Sequence, residues 1–273
     1  MIRRGRALRA IPTLLRVGVA ETVAYRAEFL VWILTTTLPL VMLGLWTSVA
    51  SEVPFQSGSG KPYSSADFVA YYLSVLIVRN LTGNWVAWQV SEEVRMGAMS
   101  MRLLRPLHPF VAYSMSHLAA VPFRSLVALP IAGALLISSG ASVLTREPLQ
   151  LALLVPSIAL AWLITFSLQF TLGALAFFVT KTMALLNLYF LMFSLFSGYL
   201  LPQDLLPGWI ASAAEVLPFR YTLGVPVELM THELDGGRVA ALMLYQLAWA
   251  AVSLAMALWA WRRGVKRYEA VGG

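Results

Sequence analysis

The chain of 273 residues contains no cysteine and few charged side chains, which make up 12% of it. Without cysteine there is no disulfide framework, no thiolate metal site and no cysteine nucleophile. The three histidines, His108, His117 and His232, are too far apart in the sequence to suggest a metal site. No group of His, Asp or Glu residues converges within the long apolar runs. The sequence therefore predicts neither a catalytic site nor a metal site.

Apolar residues dominate what is present. They make up 59% of the chain, with a mean hydropathy of +0.73, against roughly 45–50% in an average globular protein. A helix needs about 20 residues to cross about 30 Å of hydrocarbon. Six apolar runs fit that length, and they are Phe29–Ala50, Asp67–Trp88, Tyr113–Ile137, Leu149–Thr180, Met183–Leu200 and Val239–Trp261. The sequence predicts an all-α membrane protein with six transmembrane helices.

The charges near these runs predict an orientation. Residues 1–28 carry six arginines and favour an amphipathic helix at the cytoplasmic membrane surface, with a solvated basic tail as the alternative. With this end inside, fourteen Lys and Arg residues lie in predicted cytoplasmic segments. The four on the outer side are Lys61, Arg146, Arg220 and Arg238. The positive-inside rule then places both termini on the cytoplasmic side of the cell, or inner, membrane.

Two features of the sequence look like ligand-binding signals but do not indicate a ligand. The net charge of +7 follows from this topology and from contact with anionic membrane lipids, so no nucleic-acid partner is predicted. The string SGSGKP at 57–62 resembles part of a phosphate-binding loop, but Phe55 replaces its first glycine and Pro62 its Ser or Thr. We expect the chain itself to bind no cofactor, ATP included.

The run that starts at Met183 breaks at Ser197 and Gly198 into a segment that stays apolar but is rich in proline. Proline lacks a backbone donor and interrupts helices, so we predict short helices over 197–237. Such a segment can re-enter the outer side of a membrane only where it packs against protein or water. The residues expected to form this re-entrant outer gate are Gly198, Pro202, Pro207 and Pro218.

The 89–110 link between the second and third predicted crossings is the second informative segment. On a helical wheel Val94, Met101 and Leu104 share one face, and Pro106 and Pro109 are expected to end the helix. The charged residues expected to stay exposed are Glu92, Glu93, Arg95 and Arg102. A helix of this kind forms either a docking surface for a cytoplasmic partner or a tether on the membrane surface.

Polar residues inside the apolar runs are candidates for lining a transport pathway, because an ionisable group in hydrocarbon is costly. They are Arg79, Asn80, Asn84, Gln169 and Asn187. The alternative role is a tie between helices, which we favour for Arg79. Arg124 is expected to extend to the inner membrane surface. The outer acidic residues are expected to be solvated, and they are Asp204, Glu215, Glu228, Glu233 and Asp235.

Together these segments resemble the membrane subunits of ABC-2 type exporters. The family-like pattern E-x-R-x-G-x-x-S-x-x-L-L-R-P-x-x-P runs from Glu93 to Pro109, and SGYLLP at 197–202 and LPFRY at 217–221 are also similar to that family. The resemblance covers nearly the whole chain and implies a single transmembrane domain over 1–273. It also implies that the 89–110 link is a coupling helix. The residues to which it assigns ATPase coupling are Glu92, Glu93, Arg95, Arg102 and Arg105.

The resemblance further implies the partners and the activity. Two cytoplasmic ABC ATPase subunits would bind ATP and Mg²⁺, and a second permease half, identical or related, would complete the transporter. This chain would then be no enzyme, but the permease subunit of an exporter for an amphiphilic or hydrophobic substrate. The alternatives are an ion-driven secondary transporter, which normally carries intramembrane carboxylates, and a membrane assembly scaffold.

Overall fold

A computed structural model describes Thr13 and residues 38–52, 55–56, 62–139, 142–179 and 182–268. Apart from Thr13, the predicted interfacial helix over 1–28 lies outside these residues, as does the first predicted crossing before residue 38. The helices of the described residues are α1 (Leu38–Glu52), α2 (Ser65–Thr82), α3 (Val86–Arg95), α4 (Met99–Leu103), α5 (Pro109–Ser139), α6 (Pro148–Ala174), α7 (Thr182–Phe196), α8 (Gly208–Val216), α9 (Pro218–Thr231) and α10 (Gly236–Val265).

The all-α prediction is confirmed for the part of the chain described. Its only strands are β1 (Phe55–Gln56) and β2 (Pro62–Tyr63), an antiparallel pair between α1 and α2. Short 3₁₀ turns follow α6 at Leu175–Phe177 and precede α8 at Gln203–Leu205. The sequence between the proline residues 202 and 218 thus forms short helices, as predicted.

Two of the described helices are long and apolar enough to cross a membrane, and they span Pro148–Phe177 and Gly236–Val265. A third span results if the two parts of α5, which meet at an angle of 53°, count as one. Helices α1 and α7 are apolar but shorter. A multi-pass, helical membrane protein is supported, and the six-crossing layout stays a prediction.

The second predicted crossing, Asp67–Trp88, is not one continuous helix. Helix α2 ends at Thr82, the backbone of Gly83 is extended, and α3 begins at Val86. The Nδ2 of Asn84 donates to the carbonyl of Thr82, and its Oδ1 accepts from the backbone N–H of Val86. These side-chain bonds replace helical backbone bonds and stabilise the break.

Helix α6 lies at the centre and packs along α10, α9 and α3. Near its Ala174 end, aromatic and aliphatic side chains of α3, α4, α5, α6 and α10 form one cluster, which we call the link-side core. Its main members are Val86, Val90, Val94, Met99, Tyr113, Phe166, Phe170 and Trp261. Burial of such apolar area is worth about 25 cal/mol per Å², so this core fixes where the 89–110 link lies.

Candidate functional site

The 89–110 link is two helical pieces joined by a tight turn. Helix α3 ends at Arg95, and Gly97 follows with a φ of +74°, which side-chain-bearing residues rarely adopt. The hydroxyl of Ser100 donates to the Gly97 carbonyl at 2.8 Å. The predicted single helix is therefore wrong, and Pro109 begins α5 rather than ending a helix. Proline suits a first helical position because no helical N–H is required there.

The turn brings Glu93 and Arg102 together. Nε and Nη2 of Arg102 each donate to one oxygen of Glu93 at 2.5 Å, and the hydroxyl of Tyr113 donates to Oε2 of Glu93 at 2.6 Å. The Arg102 guanidinium also lies 4.1 Å from the centre of the Tyr113 ring. Such a bidentate pair is strong and directional. The prediction that Glu93 and Arg102 stay exposed is wrong, since they are half-buried and clamp α3, α4 and α5 together.

Other residues of the link form an exposed surface. Leu104 is 80% exposed, Met101 is exposed as well, and Val94 is buried in the link-side core. The predicted apolar face is therefore wrong, because the turn at Gly97 separates Val94 from the other two side chains. Glu92 and Arg95 pair with each other at the surface. We define the link surface by its exposed residues Arg95, Met96, Met101, Leu104 and Arg105.

The long apolar helices support the link from behind. Helix α3 lies so close to α6 that a Cβ on Gly173 would stand 2.8 Å from the Cβ of Val90. Beyond α10, the hydroxyl of Tyr268 donates to the Gly97 carbonyl at 3.0 Å, and the Tyr268 ring packs edge-on against Phe177. These contacts join the link directly to α6 and to the residues that follow α10.

The predicted pathway residues do not form one cluster. The Arg79 guanidinium lies 5.0 Å from the centre of the Phe193 ring and 6.0 Å from that of Tyr199. This contact with α7 is the interhelical tie that the sequence favoured. Asn80 is buried and donates to the Leu76 carbonyl of its own helix. Gln169 is buried beside the Tyr189 hydroxyl, whereas Asn187 is exposed on α7.

Arg124 is buried inside the protein and does not extend outwards, so that prediction is wrong. Its side chain is buried, and Nη1 donates to the Gly83 carbonyl at 2.5 Å. Its guanidinium also lies 5.5 Å from the centre of the Trp85 ring. The break between α2 and α3 leaves the Gly83 carbonyl outside a helix, and this gives Arg124 an acceptor inside the protein. An internal acceptor offsets much of the cost of burying the charge.

The predicted outer gate starts with Gly198, whose φ of +85° again requires glycine. Hydroxyls of two α2 tyrosines hold this segment, since Tyr71 donates to the Gly198 carbonyl at 2.8 Å and Tyr72 to the Leu200 carbonyl at 2.7 Å. Pro202 and Pro207 precede the 3₁₀ turn and α8, and Pro218 is the first residue of α9. Helix α9 is buried against α6 and α2. It therefore meets the condition that re-entrant chain packs on protein.

Charged pairs in this segment were missed by the sequence interpretation. Nη2 of Arg220 donates to Oε2 of Glu228 at 2.8 Å, and these side chains are only 9% and 6% exposed. Glu228 is therefore not solvated, which corrects the expectation. The sequence did contain a signal for this pair, namely an arginine and a glutamate eight residues apart in a short apolar segment. Two buried charges without partners would be too costly, so these two residues could have been expected to pair.

His232, just beyond α9, joins a second polar pair. Its Nε2 contacts Oδ2 of Asp204, and its Nδ1 lies 2.9 Å from the Thr231 hydroxyl. Burial opposes protonation, but the hydrogen bond and charge of Asp204, with smaller effects of Glu228 and Asp67, raise the pKa of His232 above 6.5. The bond from His232 outweighs burial and lowers the pKa of Asp204 below 3.8, with help from Arg220 and Arg238.

The His232–Asp204 pair is expected to give a pH-dependent melting temperature. The His232 contribution is complete below pH 6.5 and is lost as the pH rises through its raised pKa. The Asp204 contribution is complete above pH 3.8 and is lost as the pH falls through its lowered pKa. Melting temperatures measured from about pH 4 to 9 should fall on the alkaline side. That fall should be smaller in His232→Gln, and an unchanged profile in this variant would contradict the assignment.

Comparison with known proteins gives one result. The sequence model described as ABC-2 family transporter protein matches residues 41–272. That range contains the link, the link-side core and the proline-rich segment. No curated protein and no solved structure matches the chain.

Proposed function

This chain belongs to the ABC-2 transporter family, and from that membership we propose that it is the permease subunit of an ATP-driven exporter. Membership implies pairing with ABC ATPase subunits in general. We propose two such subunits on the cytoplasmic side and a second permease half, identical or related. ATP and Mg²⁺ bind to the ATPases, and this chain hydrolyses no ATP.

The link surface is the observation that carries this proposal. Three exposed apolar side chains, Met96, Met101 and Leu104, lie in the sequence between the exposed arginines Arg95 and Arg105. Exposed apolar side chains accompanied by charged ones are typical of a protein interface. Soluble surfaces seldom expose such side chains together without a partner. We assign this surface to the ATPase.

The clamp of Glu93, Arg102 and Tyr113 has a different role in this proposal. It does not contact the ATPase, but keeps α3, α4 and α5 in fixed positions so that a push on the link surface moves whole helices. The contacts of α3 with Gly173 and of Tyr268 with Gly97 carry the movement to α6 and α10. This division revises the sequence-based set, in which Glu93 and Arg102 were expected to dock directly.

We propose outward transport of an amphiphilic or hydrophobic substrate between the two permease halves. Arg79, Gln169 and Asn187 remain candidates for contact with this substrate. Asn187 is the strongest of them, because it is exposed on the apolar helix α7 and could face the second permease half. Direction is measured in inside-out vesicles. ATP-dependent accumulation of substrate inside them is expected, whereas ATP-dependent loss from loaded vesicles would overturn export.

A new negative charge on the link surface is expected to weaken binding of the ATPase. Leu104→Asp and Arg105→Glu should each lower the amount of co-purifying ATPase, and the vanadate-sensitive activity, on the order of tenfold or more, as loss of a central interface residue does. Mass spectrometry of the complex, purified gently from its native membrane, gives the amount. Because both side chains point into solvent, the melting temperature of the permease should not change.

Arg146→Glu is the matched control, since Arg146 is also exposed but lies in the connection between α5 and α6. It should keep the ATPase. Arg102→Gln should lower both ATPase activity and melting temperature, because it breaks the clamp. If the permease purifies without an ATPase and has no nucleotide-dependent activity, an ion-driven transporter or a scaffold replaces this proposal.

A further inference from the structure

A cavity of ≈ 330 Å³ lies where α8, α9 and α10 meet. This volume is at the lower end of the range of about 300–1,000 Å³ found for small-molecule sites. One part of its lining is charged, with Glu215, Arg220 and Arg238, and the rest includes the aromatic residues Tyr221, Tyr245 and Trp249. None of these residues belongs to the link, so the cavity is independent of the proposed ATPase contact.

The charged groups of this cavity form hydrogen bonds with one another but keep some bonding capacity for a ligand. Oε1 of Glu215 accepts from Nη2 of Arg238 at 2.8 Å and from Nη1 of Arg220 at 3.3 Å. Neither bond uses Oε2 of Glu215, and no described residue hydrogen-bonds to it. Arg238 and Glu215 are 42% and 51% exposed. One cation and one anion, side by side, thus remain open to a ligand.

Arg220 adds little net charge to the cavity. Its side chain is buried and its Nη2 donates to Glu228, which does not line the cavity. The hydrogen bond of Arg238 lowers the pKa of Glu215 despite partial burial, so Glu215 is ionised at neutral pH. The two arginines and two glutamates then cancel, and a ligand with a single sign of charge gains little from these four groups. A ligand that carries both signs fits it better.

The lining of α10 indicates how such a ligand would lie. Arg238, Leu242, Tyr245 and Trp249 follow one another at intervals of four, three and four residues, so they form one stripe along the helix. Arg238 is in the first turn of α10, and the helix is apolar enough to span a membrane. The stripe therefore runs from a charged first turn at one end of this span to Tyr and Trp side chains about 10 to 16 Å further along the helix, at the depth where acyl chains lie.

We propose that this cavity binds the headgroup of one zwitterionic phospholipid of the surrounding membrane. The phosphate bonds to Arg238, and the ammonium group lies between Oε2 of Glu215 and the aromatic rings. The acyl chains follow the stripe past Tyr245 and Trp249. Cation–π contact adds to the recognition of ammonium groups. This site is additional to the transport function proposed above and needs neither ATPase nor substrate.

The test uses the full-length protein in nanodiscs that contain equal amounts of phosphatidylethanolamine, phosphatidylcholine and phosphatidylglycerol. After release into detergent, native mass spectrometry measures which lipids stay bound. Wild-type protein is expected to retain one zwitterionic lipid in preference to phosphatidylglycerol. Glu215→Gln and Arg238→Gln are each expected to lower this occupancy about tenfold, which corresponds to one lost charged contact.

Two further variants keep the result interpretable. Arg263→Gln changes an exposed arginine near the other end of α10 and should retain the lipid. Tyr245→Leu leaves every ion pair intact, so it should fold normally and still lose lipid. Equal retention of phosphatidylglycerol, or unchanged occupancy in Glu215→Gln, Arg238→Gln and Tyr245→Leu, would overturn the proposal.

Discussion

Glu228→Ala is expected to lower the free energy of unfolding by about 3 kcal/mol, the low end of the cost of breaking a buried ion pair. Glu228 and Arg220 are 6% and 9% exposed, so the substitution leaves the Arg220 charge buried without its main partner. The cost is at the low end because Glu215 still accepts from Arg220 at 3.3 Å. Denaturant titration of the purified protein, followed by tryptophan fluorescence, measures the change.

Two companion variants test the cause of this loss. The double variant Arg220→Met with Glu228→Leu should recover most of the stability, because replacing a whole buried ion pair by apolar side chains costs little. Glu215→Ala removes a more exposed partner, and it should cost less than about 1 kcal/mol. If the double variant were as unstable as Glu228→Ala, the loss would come from packing and not from an unpaired charge.

Gly173→Leu is expected to separate α3 from α6. A Cβ at this position would stand 2.8 Å from the Cβ of Val90 and 3.0 Å from the carbonyl oxygen of Ala87, so backbone must move. Overpacking of this kind costs about 1–3 kcal/mol. Because α3 carries the link, the vanadate-sensitive ATPase activity of the complex should fall with it. Denaturant titration and ATPase assays on one preparation measure both effects.

Gly133→Leu is the matched control for this prediction. Gly133 lies in α5, and a Cβ there would have no other atom within 4 Å. Its effect on stability should stay within about 0.5 kcal/mol, as for most surface substitutions. Equal stability and activity in the Gly173 and Gly133 variants would show that the close approach of α3 to α6 is not needed.

The sequence predicted features that depend on local pattern. The apolar runs 149–180 and 239–261 correspond to α6 and α10, because a run of that length leaves few alternatives to a buried or spanning helix. The proline-rich segment after Gly198 was predicted as short helices for a similar reason, since proline limits helix length locally. The exposure of Arg95 was also predicted correctly from its place in the link.

The features that the sequence did not predict depend on contacts between distant residues. Arg124 meets Gly83 across 41 positions of the chain, and Tyr268 meets Gly97 across 171. The partnership of Glu93 with Arg102 requires the turn at Gly97, which hydrophobic periodicity does not reveal. An amphipathic pattern gives the face of a residue only while the helix continues. For this reason Met101 and Leu104 were wrongly placed on the same face as Val94. Arg102 was wrongly expected to be exposed to solvent.

Helix α10 connects the lipid cavity with the 89–110 link. Arg238 in its first turn lines the cavity, and Gly264 in its last turn packs against Phe177 beside the link. The intervening helix is about 40 Å long at 1.5 Å per residue. If its position depends on both ligands, then any factor by which lipid changes the affinity for the ATPase must equal the factor by which the ATPase changes the affinity for lipid. Membrane composition would then act as an allosteric effector of this transporter.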